Sequence, residues 1–349
     1  MKKAVVTGAN GFVGSNLVEG LLQKGYIVYA VVRSSKSNIS RIPINQNVHL
    51  IFCELKEIST LPGKLQHQKI DFFFHLAWEG SSGKERADYI LQLNNIKCAC
   101  DAVKAAAELQ CEKFIFAGSI MQYEAKQYLS ERNALPGRGY FYSVSKLAAD
   151  YMAKIEAINN KVGYVNCLIS NIYGIGEVTE RFINVTIRKM LMGESLLFSK
   201  GEQDYDFIYI SDAINAMILV AEKGEINSEY YIGNNQIYQL KRYIILMRDI
   251  VAPTAKLQLG AIQYNGPFLD YSAVNIDRLH RELNFKPEIT FERGIKLTRD
   301  WIEKNCLPCA GNMEKELDGN NIKLNREMRG GVNPYIKTIK DTITSRRIA

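Results

Sequence analysis

Histidine is scarce in this chain. Of 349 residues only four are histidine (His49, His67, His75 and His280), and no two form an HxxxH-type pair. A metal centre built on imidazole has few donors to draw on, so no metal is expected. Long apolar runs are missing too: none approaches the ~20 residues of a membrane span. The opening "MKKAVVTGAN" reaches a glycine turn after a few apolar residues, too soon for the apolar region of a secretory signal. Seven cysteines, an odd number at irregular spacing, do not suggest a disulfide framework and predict reduced thiols in a cytoplasmic protein. "CLPC", with Cys306 and Cys309, has no second pair and reads as neither a zinc nor a redox site. There is no internal repeat. The net charge of +7 is dispersed through most of the chain. It suits an anionic ligand but does not form the concentrated patch that nucleic acid needs. The segment "YIKTIKDTITSRRIA" reads as a solvated, mildly basic helix and not a membrane anchor.

What is present is an alternation of strand and helix. The length suffices for one large or two moderate domains with a sizeable core. "KKAVVTG" reads as a short buried strand, "IVYAVVR", "VHLIFCEL", "IDFFFHLAW" and "KFIFAGS" as four more strands, and "GYVNCLISNIYG" as a sixth. Between them "NLVEGLLQKGY", "ADYILQLNNIKCACDAVKAAAEL" and "YSVSKLAADYMAKIEAI" have helical spacing and good helix formers. Such alternation predicts right-handed crossovers and an α/β fold with a parallel, doubly wound sheet covered on both faces. Beyond Gly174 the pattern is less regular, which predicts a smaller mixed α/β lobe.

Gly8, Gly11 and Gly14 follow the first strand and open the first helix. Gly8 suits a strained turn, Gly11 lets the backbone approach a pyrophosphate, and Gly14 lets the helix pack closely on the strand. A helix N-terminus then faces the anion with free N–H groups. This context predicts a dinucleotide site. Its candidate contacts are Gly8, Asn10, Gly11, Phe12, Val13 and Gly14 in the turn, with Leu55, Leu76 and Ala77 at later strand ends. An acid ending the second strand would bind the 2′-hydroxyl of NAD. Here that place holds Arg33, followed by Ser34, Ser35 and Lys36. A guanidinium with hydroxyl and ammonium neighbours suits a 2′-phosphate, so NADP is expected, with NAD as the alternative. Glu54, after the third strand, is placed to accept from the adenine amine.

"YSVSK" sets Tyr142 and Lys146 four apart on one helical face, and "FIFAGSIMQY" ends a strand at Ser119. Together with the glycine turn, these resemble the short-chain dehydrogenase/reductase superfamily. The length, "HLAW" and "DFIYISDA" resemble its extended branch, the NAD(P)-dependent sugar epimerase/dehydratase family, over roughly residues 3–304. The resemblance implies a Rossmann-type domain over 1–170 with a returning segment near 206–232. It also implies a substrate lobe from 171–205 and 233–305, leaving 306–349 as a C-terminal extension. It implies Tyr142 as the acid–base group, Lys146 favouring the phenolate and holding the nicotinamide ribose, and Ser119 bonding the sugar oxygen. Asn95 matches the family asparagine that supports the lysine, with Asn94 leaving the register open by one. Tyr140 is the rival tyrosine, but it lacks the lysine four residues on.

Departures from the family narrow the reaction. Family dehydratases resemble one another in an Asp-Glu pair directly after the hydroxyl residue; here Ile120 and Met121 follow Ser119. The cysteine of the epimerase–reductases is absent as well. Reduction of a 4-ketone or 4-epimerisation remains, and a non-catalytic dinucleotide-binding regulator is the reading from another class. The substrate implied is a nucleotide sugar, met by Trp78, Ser81, Ser82, Ser119, Met121 and Asn171. Tyr205 stands where the family carries a phosphate-binding arginine, so Arg181 or Arg188 is expected to substitute. A homodimer is expected, with no nucleic-acid or membrane partner.

Overall fold

The computed structural model describes residues 1–130, 137–264, 266 and 268–306. Cys309, the extension past Cys306 and the basic final segment lie outside the described residues. Seven strands form the main sheet: β1 Lys3–Thr7, β2 Ile27–Val32, β3 Val48–Phe52, β4 Phe72–His75, β5 Lys113–Ala117, β6 Gly163–Ile169 and β7 Ser228–Ile232. Their order is β7-β6-β5-β4-β1-β2-β3, and every pairing is parallel. The order reverses between β1 and β4, and the crevice at their carboxyl ends is where ligands bind in such sheets.

The longer helices are α1 Phe12–Gln23, α2 Tyr89–Glu108, α3 Met121–Ser130, α4 Tyr140–Asn159, α5 Phe182–Leu191, α6 Ile210–Lys223, α7 Leu240–Val251 and α8 Phe291–Cys306. Successive strand residues point to opposite faces, and both faces are covered. On one, Val6, Phe72 and Phe74 meet Leu17 and Leu21 of α1 and Ile214 and Ile218 of α6. On the other, Val5, Phe73, Phe114 and Phe116 meet a row of alanines, Ala99, Ala102 and Ala106 of α2 and Ala149, Ala153 and Ala157 of α4. Small residues there let two long helices lie close against aromatic strands. Burial on both faces explains why these strands read as continuous apolar runs instead of alternating ones.

One expectation is corrected. The sixth strand does not run through to Gly174: it ends at Ile169, and Asn171–Tyr173 pairs instead with Phe207–Tyr209, outside the main sheet. At the break Ser170 N donates to Ile232 O and Ile120 N to Ile169 O, so both edges of the departing chain are tied down. Helix α3, absent from the sequence expectation, begins two residues after Ser119. The lobe consists of α5, α7 and α8 with short strand pairs Leu196–Phe198/Leu257–Leu259 and Asp204–Tyr205/Tyr238–Gln239. Its apolar residues Ile187, Tyr243, Met247, Phe291 and Ile302 continue the core on the α1 side of the sheet.

Candidate active site

The glycine turn forms a cradle. Gly8 adopts φ +67°, and a Cβ there would stand 3.0 Å from Ala77 N. A Cβ on Gly14 would stand 2.1 Å from Gly8 O, inside any allowed contact. Gly11 N donates to Gly8 O and Gly11 caps α1 with extended backbone, so the first N–H groups of the helix lack intrahelical acceptors. Thr7 Oγ1 accepts from Leu76 N and Ala77 N, both 3.1 Å, and lies 3.2 Å from His75 Nδ1. With two N–H donors on its oxygen, the Thr7 hydroxyl proton is left for Nδ1. Burial, then the Lys146 charge, lowers the His75 pKa to about 3. It is a neutral core histidine that fixes the start of the loop after β4.

A cavity of 350 Å³ opens above this cradle, lined by the turn from Gly8 through Gly14, by Arg33, by Cys53 and Leu55, and by Leu76, Ala77, Trp78 and Glu79. The cradle admits only glycine at its tightest points and offers helix N–H groups, which fits a dinucleotide pyrophosphate. Ser34, Lys36 and Glu54 are off the cavity wall, and Glu54 Oε2 pairs with Lys56 at 2.8 Å. Arg33 is on the wall and pairs with Glu79, Nη2 to Oε1 2.8 Å. Arg41, missed in the sequence, ties the turn to the lobe: its guanidinium donates to Asn10 O at 3.0 Å and to Gly176 O.

A second cavity of 830 Å³ adjoins the first and shares Ser81, Glu177 and Arg181 with it. Ser82, Ser119, Met121, Tyr142, Asn171 and Tyr205 line it. Arg181, the cap of α5, pairs with buried Glu177 at 3.5 Å where the two cavities meet; Arg188 lines neither. Asn171 Nδ2 donates to Asp206 O at 3.1 Å. Trp78 lies on the wall of the first cavity and meets the Tyr142 ring edge-on, centroids 6.1 Å apart.

The three residues expected to carry the chemistry converge here, Ser119 from the loop after β5 and Tyr142 and Lys146 from α4. Lys146 is buried. Its ammonium donates to Ala117 O at 2.9 Å and lies 3.8 Å from the centroid of the Trp78 ring. Burial lowers its pKa to about 7 against the opposing pull of Asp150. Arg86 places its guanidinium 4.4 Å over the Tyr142 ring. Ser119 is held by a turn: its N donates to Gln122 Oε1 at 2.8 Å, and Met121 N donates to its Oγ at 3.3 Å. Gln122 in turn donates to Asp150 at 2.8 Å, and Tyr164 and Asn166 donate to the same carboxylate. Burial raises the Asp150 pKa to about 6. This buried network holds the backbone of Ser119 through Gln122, with Asn166 Oδ1 the one side-chain atom in it that lacks a partner among the described residues.

Asn95 is the buried member of the Asn94/Asn95 pair. Its amide grips the Glu79 backbone, accepting from Glu79 N at 3.0 Å and donating to Glu79 O at 2.8 Å. The contact falls on the loop after β4, not on Lys146. Gln92, one turn earlier, accepts from Trp78 Nε1 and donates to Gly80 O, so α2 holds that loop at two points. Glu124 was missed as well. It lines the larger cavity, accepts from Ser143 Oγ at 2.8 Å, and burial raises its pKa. Its signal was a helix start after Ser119, which brings every third or fourth residue to one face. Among the described residues no group of three or more His, Cys, Asp or Glu could hold a metal, and no helix is long and apolar enough to cross a membrane.

The chain is similar to known proteins over most of its length. The CDP-abequose synthase of Salmonella typhimurium is 26% identical over 304 residues, 84% of this chain and 95% of that protein. The dTDP-glucose 4,6-dehydratase of Haemophilus influenzae is 25% identical over 336 residues, 86% of this chain and 98% of that one. Among solved structures, the Bordetella bronchiseptica enzyme WbmF in complex with NADH has a TM-score of 0.72 at 22% identity, covering 87% of this chain and 92% of that one. The UDP-glucose 4-epimerase of Thermotoga maritima, solved with UDP-glucose, has a TM-score of 0.70 at 22% identity, covering 86% and 99%. The structural likenesses show a shared fold. Residues 4–233, which carry the cradle and all three converging side chains, match one family over their whole length, and the chain belongs to the NAD dependent epimerase/dehydratase family.

Proposed function

We propose that the protein reduces the 4-keto group of a nucleotide-activated (6-deoxy)hexose with NADPH. The observation that carries this is the placing of Ser119 and Tyr142 on the wall of a cavity that adjoins the glycine cradle. The cradle residues, Arg33 and the loop Leu76–Glu79 would hold the dinucleotide, which when bound supplies hydride to sugar carbon 4. Tyr142 donates its phenolic proton to the carbonyl oxygen as negative charge develops there. Ser119 donates a hydrogen bond to the same oxygen, and the charge of Lys146 favours the phenolate that Tyr142 leaves behind. Arg181, at the junction of the cavities, takes the phosphates of the sugar nucleotide in place of the arginine that Tyr205 replaces. Ile120, buried, and Met121 carry no proton to lend, which disfavours elimination of water. The relative named a CDP-abequose synthase supports a nucleotide-sugar substrate.

Two further features belong to this proposal. The described cysteines are all free, as in a reducing cytoplasm. Exposed apolar residues gather on α2 and α4, among them Leu93, Tyr151, Ile155 and Ile158, each more than half exposed. A patch of this kind marks an interface, and we assign it to a second copy of the chain in a homodimer. The test of the reaction uses a nucleotide 4-keto-6-deoxyhexose and NADPH deuterated at C4. Stoichiometric NADP⁺ with deuterium at sugar C4 is the expected result. Interconversion of a nucleotide hexose with its C4 epimer without added cofactor would refute the reductase and make the protein a 4-epimerase.

A further inference from the structure

We infer that Glu79 is a cofactor-selectivity residue, competing with the 2′-phosphate of NADPH for the Arg33 guanidinium and keeping the site open to NADH. The inference rests on the dinucleotide assignment above. Arg33 closes β2, where the family reads the adenosine ribose, but it does not meet the cavity as a free cation. Its Nη2 is 2.8 Å from Glu79 Oε1, and both residues line the same 350 Å³ cavity. The acid missing from the end of β2 is thus delivered from the loop after β4.

The Glu79 main chain cannot retreat. The Asn95 amide, itself buried, holds both its N–H and its carbonyl from the far side. Only the side chain can turn away when a ligand arrives. A 2′-phosphate that takes Arg33 must displace the carboxylate and then face it as a like charge. A 2′-hydroxyl has no such conflict, because it is a donor that a carboxylate accepts. Arg33 alone would select strongly for NADPH; Arg33 with Glu79 selects weakly. Asn95 is then a positioning residue for selectivity, acting through Glu79.

The experiment titrates NADPH and NADH separately against the wild-type protein and Glu79→Gln, reading cofactor fluorescence without any sugar. The variant keeps the shape and removes the charge. NADPH should bind it at least about fivefold more tightly, the scale of freeing one exposed ion pair, while NADH affinity holds or falls. A ratio of the two dissociation constants within about twofold of the wild-type ratio would overturn the inference. So would an equal loss for both cofactors, which would make Glu79 a support of the loop and nothing more. If the wild-type protein bound neither cofactor, the dinucleotide assignment would fail first and the inference with it.

Discussion

Tyr142 lines the larger cavity with two partners on its ring, the Arg86 guanidinium over the face and Trp78 in an edge contact. Replacement by phenylalanine keeps both contacts and removes only the proton. Turnover should fall by about 10²–10⁴, the usual worth of such a group, with NADPH affinity nearly unchanged. Retention of more than about a tenth of kcat would take the role away from Tyr142. Lys146 makes a different prediction. Burial sets its pKa near 7 in the folded protein, against about 10.4 in an unfolded chain. Between those values the unfolded chain holds a proton that the folded chain has lost, so stability rises with pH across that window. Urea melts of the cofactor-free protein at pH 7 and 9 should show this gain, and Lys146→Met should remove it. An identical pH dependence in both proteins would rule the buried charge out. The Tyr142–Lys146 pair was legible because both residues sit on one helix at a spacing that chemistry requires. Asn95 was legible as a residue but not in its contact. Arg86, Glu124 and Gln92 were not legible, since their value depends on which turn of another element faces the cavity.

Among the elements, the β1 turn into α1 is the most tightly specified. Gly14→Ala would drive a methyl group against Gly8 O. The clash should cost about 1–3 kcal/mol, as overpacking does, and abolish cofactor binding by prising α1 from the turn. Gly63→Ala, which meets nothing within 4 Å, is the control and should leave both unchanged. Thermal melts and cofactor titration of the two variants decide the matter; equal behaviour would remove the cradle from the account. Strands β1 to β5 and their helices were readable for a physical reason. β1, β2, β4 and β5 are buried on both faces, so their apolar runs are unbroken; β3, at the sheet edge, is largely exposed and was readable from its Val, Ile and Phe content. The break after β6 was not readable, because Ser170 and Asn171 interrupt the apolar run only briefly before Ile172 and Tyr173 resume it. What ends the strand is a change of partner, from the main sheet to Phe207–Tyr209. The shorter strands of the lobe, two or three residues each, fall below the length at which periodicity carries information.

At the scale of the whole molecule, the apolar faces of α2 and α4 act as one surface. Tyr89 and Phe141, one from each helix, are in ring contact at 6.0 Å. Leu93→Glu with Ile155→Glu, both at exposed positions, should leave each subunit folded and convert a dimer to a monomer in light scattering after size-exclusion chromatography. A wild-type protein that was already monomeric would sink the assignment. The order of the main sheet carries a further consequence, for the time course of folding. The chain leaves the sheet at Ile169 and returns only at Ser228, where Ser228 pairs with Val165 and Ile232 with Ile169. Loop closure over so long a span costs entropy before any pairing repays it, and parallel pairing between distant segments is slow. On the ribosome, β6 therefore waits with an open edge until the residues through Ile232 have emerged, and open edges recruit other chains. Pulse-labelled hydrogen exchange should find the amides that join β6 to β7 protected later than those joining β1, β2 and β4, and a chain ended before β7 should aggregate where the longer one stays in solution.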